Sequence, residues 1–147
     1  MKKSSRFIAI LGLTSLIILA SCQAKTATKK QTRTITDSMD HKVSVPTHPK
    51  RVIGSYLEDY LVSLDIKPVV QWSVKNGTSR QDYLAKHLKD VPTINYDLPF
   101  EAVAKAKPDL ILVGDNSAVQ GGKYAQYNKL APTTLLKMVL KSTGAPN

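Results

Sequence analysis

The chain has 147 residues, of which 21 are basic and 11 acidic, with a formal charge of +10 and a single cysteine. One cysteine excludes an internal disulfide framework, and the length admits one domain of ordinary size. The lysines are scattered, as on solvated faces, so the charge argues for no more than a mild attraction to anions.

Lys2, Lys3 and Arg6 form a basic start, Phe7 to Ala20 is almost wholly apolar, and the small residues Ala20 and Ser21 precede Cys22. That order is the secretory signal pattern. The apolar stretch is shorter than the about 20 residues of a membrane-spanning helix. "LASC", Leu19 to Cys22, resembles the bacterial lipobox, in which the cysteine becomes the new N-terminus and carries lipid. A thiolate is the nucleophile such an alkylation needs. Residues 1–21 are therefore expected to be a lipoprotein signal peptide and Cys22 the lipidation site, against an ordinary signal peptide or an uncleaved anchor. One lipid chain holds a protein only marginally, so at least two are expected. The mature 126 residues keep 18 basic and 11 acidic side chains. A chain exported to the extracytoplasmic face of the cell membrane is not expected to meet nucleic acid.

Residues 22–32, polar, small and basic, read as a flexible tether. Thr34 to Thr36 and Lys42 to Val45 alternate around a turn-rich "DSMDH" and predict a β-hairpin. Residues 51–54, "RVIG", predict a buried strand. Residues 56–65 place Leu57, Tyr60, Leu61 and Leu64 on one face of a helix. Residues 67–72 predict a second strand, and Tyr83, Leu84 and Leu88 give residues 79–89 helical spacing. Residues 92–95 predict a short strand, and 99–106 a helix that starts at Pro99 and ends before Pro108. "DLILVG", residues 109–114, is the clearest strand. Residues 123–130 read as a short helix behind a loop freed by Gly121 and Gly122, and 133–137 as a last strand.

Strands alternating with helices predict an α/β fold: a Rossmann-like three-layer lobe with a mostly parallel sheet, preceded by the hairpin. Ligands of such sheets bind beyond the carboxyl ends of the strands. Those ends, Gly54–Tyr56, Trp72–Ser73, Asn95–Asp97 and Gly114–Ser117, are expected to gather on one edge. The sequence holds no Walker loop, GxGxxG, GxSxG or HExxH and no nucleophile–base set, so an enzyme is not expected. His41, His48 and His87 lie in unlike contexts and read as surface residues, so no metal site is expected. Asp37 and Asp40 read as turn residues.

"RTITDSMDHKVSVPTHPKRVIGSYLEDYLVSLDIKPV" resembles the opening of iron-siderophore substrate-binding proteins of bacterial ABC importers: a hairpin, "P-x-R-V" into the first strand, then a helix closing on "L-x-x-L-D/G-I/V-K-P-V". "PFEAVAKAKPDLILVG" and "YNKLAPTTLL" are similar to later segments of the same family. The resemblance implies two α/β lobes joined by a long helix, with an iron chelate in the cleft between them. The match covers the N-terminal lobe of that bilobed fold, residues 33–137. "MVLKSTGAPN", residues 138–147, does not match. It can be read through a shifted frame as the family's approach to the linking helix; a deliberate short variant and an incomplete gene model are the rivals.

Position and chemistry make Tyr56 and Trp72, each following a strand, first candidates for substrate contact, through a flat apolar face with a polar handle. Both equally suit a core. Arg80 has the fork to pair with an anionic chelate, although a solvated arginine is its ordinary reading. Asn116 and Ser117 offer donors at the clearest strand end. Glu101 lies in the first turn of its helix, where a carboxylate suits the dipole. The resemblance implies that it docks onto an arginine of the membrane permease. The expected partners are thus an ABC permease, an iron(III)-siderophore ligand and the lipid bilayer, with no cofactor; haem and cobalamin are alternative ligands. The competing reading is a non-binding surface lipoprotein or the inert product of a disrupted gene.

Overall fold

The computed structural model describes residues 31–136. Cys22, the signal segment, most of the tether and the non-matching tail lie outside these residues. The hairpin is β1 (Thr32–Thr36) and β2 (Lys42–Pro46), antiparallel, with Ile35 opposite Val43. It starts at Thr32, earlier than the alternation suggested, and the carbonyl of Gln31 accepts the Thr47 N–H at 2.9 Å. Then follow β3 (Val52–Ser55), α1 (Glu58–Ser63), β4 (Gln71–Ser73), α2 (Ala85–Leu88), β5 (Thr93–Asn95), α3 (Phe100–Ala106), β6 (Leu110–Val113), α4 (Lys123–Leu130) and β7 (Thr133–Leu135).

The named strands after the hairpin pair in parallel, β3 with β6, β6 with β7, and β4 with β5; an isolated antiparallel bridge joins Val74 and Ser79. The carbonyls of a strand point alternately to its two sides. Arg51's carbonyl accepts from Asp109 on the β6 side, so Val52's faces the other way, where it accepts the Val69 N–H at 2.9 Å. That single bond sets the β4–β5 pair beside β3, and the spatial order is β5-β4-β3-β6-β7. The chain therefore reverses direction between β3 and β6.

Both faces of the sheet are covered, which is why its strands read as continuous apolar runs. Ile53, Ile111, Val113 and Leu135 pack with Val103 of α3 and Tyr127 of α4. Val52 and Leu110 face the opposite way, against Leu61 of α1 and against Val43 and Val45 of the hairpin. Gly54 lets α1 lie this close: a Cβ there would sit 2.7 Å from Leu61 Cδ1. The "PKRV" stretch ties β3 to the end of α3. The Arg51 guanidinium donates to the carbonyls of Ala106 and Lys107, and Asp109 accepts the N–H groups of Lys50 and Arg51, both at 2.9 Å.

Two helical readings need correction. On α1, Leu57 and Leu61 are buried, but Tyr60 and Leu64 are 50% and 67% exposed. The helix has only six residues and rests on the sheet through one narrow stripe. Residues 79–89 are not one helix but a 3-10 turn, Asp82–Leu84, running into the single turn of α2. Leu84 and Leu88 are buried there, while Tyr83 faces solvent. The strand expected at 67–72 occupies 71–73, because the backbone bends at Val69 and Val70.

Candidate functional site

The strand ends do gather on one edge. Between the ends of β3 and β6, at the point where the strand order reverses, lies a cleft of about 370 Å³. This is where doubly wound sheets hold ligands, and the size suits a small molecule. The cleft lining includes Tyr56, Gly114, Ser117 and Ala118 from the β3 and β6 ends, and Trp72, Val74 and Tyr96 from the β4–β5 pair.

Tyr56 ends β3 in a left-handed conformation, φ 61°, where glycine is the usual residue. The Leu57 N–H donates to the Gly54 carbonyl at 2.9 Å and closes a tight turn around it. A tyrosine held there costs on the order of 1 kcal/mol, a kind of strain that collects at functional positions. The turn carries the ring into the cleft, 61% exposed. It meets Trp72 edge to face, with centroids 5.1 Å apart and planes at 61°. Such pairs prefer this geometry because the positive ring edge meets the negative face. Trp72 is half-buried, so neither aromatic belongs to the core.

Ser117 lines the cleft; its N–H donates to Asp115 Oδ1 at 2.8 Å, which fixes the turn after β6. Asn116, one residue earlier, lines a neighbouring groove with Met39, His41 and Tyr124. Arg80 is exposed and is not part of the cleft wall. Glu101 is exposed in the first turn of α3, at the same sheet edge. Of the six candidates among the described residues, the cleft thus unites three: Tyr56, Trp72 and Ser117.

Tyr96 and Asp115 also line the cleft; both lie in the strand-end stretches Asn95–Asp97 and Gly114–Ser117 but were not singled out as contact residues. Glu58 carried no sequence signal beyond a first-turn carboxylate. Its side chain is buried, 1% exposed, and Oε1 accepts the Trp72 N–H at 2.6 Å. Burial pushes its carboxyl above the usual range, and the hydrogen bond from Trp72 only partly opposes this. Oε2 has no partner among the described groups. His41 is not a free surface residue: Nδ1 lies 3.0 Å from Asp37 Oδ2, and the ring stacks on Tyr124. No group of three or more His, Cys, Asp or Glu side chains that could hold a metal ion occurs among the described residues.

The relatives of this chain are siderophore-binding proteins. It is 30% identical to the probable siderophore-binding lipoprotein YfiY of Bacillus subtilis, over 90% of this chain and 43% of the relative. It is 27% identical to the iron(3+)-hydroxamate-binding protein YxeB of the same organism, over 92% of this chain and 42% of the relative. Among solved structures it resembles Staphylococcus aureus SirA in complex with staphyloferrin B, with TM-score 0.62 and 29% identity over 74% of this chain and 38% of that one. The petrobactin-binding protein YclQ of B. subtilis gives TM-score 0.58 and 27% identity, over 74% and 38%. No protein-family model matches. The chain spans less than half the length of the curated relatives it matches. The expected α/β lobe with its leading hairpin is the fold found, and the solved structures that share it include SirA with staphyloferrin B and the petrobactin-binding protein YclQ.

Proposed function

We propose that these residues form the N-terminal lobe of an extracytoplasmic binding protein for an iron(III)-siderophore complex, serving an ABC importer and performing no chemistry on its ligand. The carrying observation is the Tyr56–Trp72 pair in an open cleft at the reversal point of the sheet. The siderophore-binding relatives support it. In this reading the two rings pack on the flat faces of the chelate and Ser117 donates a hydrogen bond. Asn116 and Arg80 contact only parts of the ligand that extend beyond the cleft. Cys22 holds the protein to the outer face of the membrane by lipid, in keeping with the relative named a lipoprotein. Glu101 docks onto the permease.

The test is a titration of Trp72 fluorescence with ferric catecholate, hydroxamate and carboxylate siderophores, with haem and cobalamin as controls. Saturable quenching by one ferric class, abolished in Trp72→Leu by a second binding assay, is expected. No saturable response to any member refutes the reading. Cys22→Ala is expected to release the protein from membranes; retention with an unchanged N-terminus refutes the lipid anchor.

A further inference from the structure

Beyond Val69 and Val52 the backbones of β3 and β4 share no further hydrogen bond, because β3 turns away at Tyr56. Gln71 donates its N–H to Pro92, towards β5, so the next N–H of β4, that of Trp72, points to the side β3 has left. A carbonyl of a longer β3 would ordinarily accept it. Glu58 takes that place with Oε1, from the first turn of α1. It lies two residues after Tyr56 and does not itself line the cleft. Stability alone does not explain a carboxyl here. Burying an ionisable carboxyl with Oε2 unpartnered carries a penalty that glutamine, uncharged and still an acceptor for the Trp72 N–H, would reduce.

We infer that Glu58 is the positioning residue of the aromatic pair: its carboxylate, bonded to the Trp72 backbone from the helix that follows Tyr56, fixes the two rings at their edge-to-face distance for ligand contact. The inference deepens the proposed function and rests on it for the identity of the ligand, but the geometry of the pair can be read without any ligand. Trp72 is the sole tryptophan of the sequence, so the fluorescence of the whole chain reports on it. Glu58→Met keeps side-chain length and removes the acceptor; Glu58→Gln keeps an acceptor oxygen.

With no ligand present, Glu58→Met should shift the Trp72 emission to the red and raise its acrylamide quenching about twofold. Glu58→Gln should match wild type. A ferric trihydroxamate and a ferric tris-catecholate serve as binding probes; whichever wild type binds should bind about tenfold more weakly to Glu58→Met and unchanged to Glu58→Gln. A folded Glu58→Met with wild-type emission, quenching and affinity overturns the inference. If wild type binds neither probe, nor any other ferric chelate, the proposed function fails, and the ligand-free spectra still decide whether Glu58 holds the pair. If Glu58→Met does not fold, the Trp72 amide proton of wild type decides. Its resonance should move as the carboxyl titrates and should be static in Glu58→Gln; a static resonance in wild type overturns the inference.

Discussion

Glu58 sets a pH dependence whose sign can be worked out. Burial raises its carboxyl above the ordinary value of 4.5. The folded state therefore holds the proton more tightly than the unfolded state. The associated stability is fully present below the unfolded value and is lost as pH rises through the higher folded one. Glu58→Gln has no such proton to lose. Its stability relative to wild type should increase from pH 4 to pH 8, as measured by urea unfolding at both; a constant difference would mean that the carboxyl titrates normally. Tyr56 presents the opposite case, a strained backbone with an exposed ring. Tyr56→Gly relieves the left-handed conformation and adds unfolded-state entropy, effects of about 1 kcal/mol each that offset. Stability should hold within about 1 kcal/mol while chelate binding falls at least tenfold; a large drop in melting temperature would make Tyr56 a structural residue.

Among the elements, the turn of the hairpin is held by one side chain, Asp37, which also accepts the Leu135 N–H of β7 at 3.5 Å. The Asp37 carboxylate accepts the N–H groups of Met39 and His41, each at 2.9 Å, and His41 Nδ1 lies 3.0 Å from its other oxygen. The Ser38 N–H donates to the Leu135 carbonyl at 3.1 Å, joining the turn to β7. Burial acts to raise the Asp37 carboxyl, but the bonds from His41, Met39 and Leu135 outweigh it and hold it below 3.8. Its contribution is thus present above that value and lost as pH falls through the folded one. Asp37→Ala should cost about 3 kcal/mol at pH 7, from charge-assisted bonds lost in a buried place, and less at pH 2. Equal losses at the two pH values would remove the carboxylate from this role.

What the sequence disclosed at this scale follows from the length of each signal. "DLILVG" and "KYAQYNKL" carry their own pattern and lie within a residue of their observed ends. Tyr60, Leu64 and Tyr83 have helical spacing, but their helices are too short to turn that spacing into burial. Tyr56 was legible in the cleft because it follows β3 at the carboxyl edge of the sheet, whereas Trp72, expected after its strand, is the central residue of β4 and lines the cleft from there. Glu58 was not legible, because its burial depends on an N–H of a different strand, 14 positions away. Asn116 and Ser117 are neighbours in sequence, yet the turn after β6 sends them to different grooves.

At the scale of the molecule, the described residues provide one aromatic wall system and leave the cleft open. Small-molecule ligands usually have about 70–90% of their surface buried. A single lobe covers roughly half of that, and forgoing ~4 kcal/mol of contact weakens binding about a thousandfold. A polypeptide limited to residues 22–147 should therefore bind any ferric siderophore at micromolar affinity or weaker, by the same Trp72 titration. Nanomolar binding would show that this lobe alone completes the site.

The seam between β3 and β4, closed by the Val69 N–H and by Glu58, has a consequence in time as well as in space. Segments joined by few bonds open as separate cooperative units. In heavy water, the amides of β4 and β5 should exchange together and sooner than those of β3, β6 and β7, which share continuous ladders. Because Tyr56 follows β3 and Trp72 lies in β4, the bond that Glu58 accepts across this seam is what keeps the two rings together when the seam opens elsewhere.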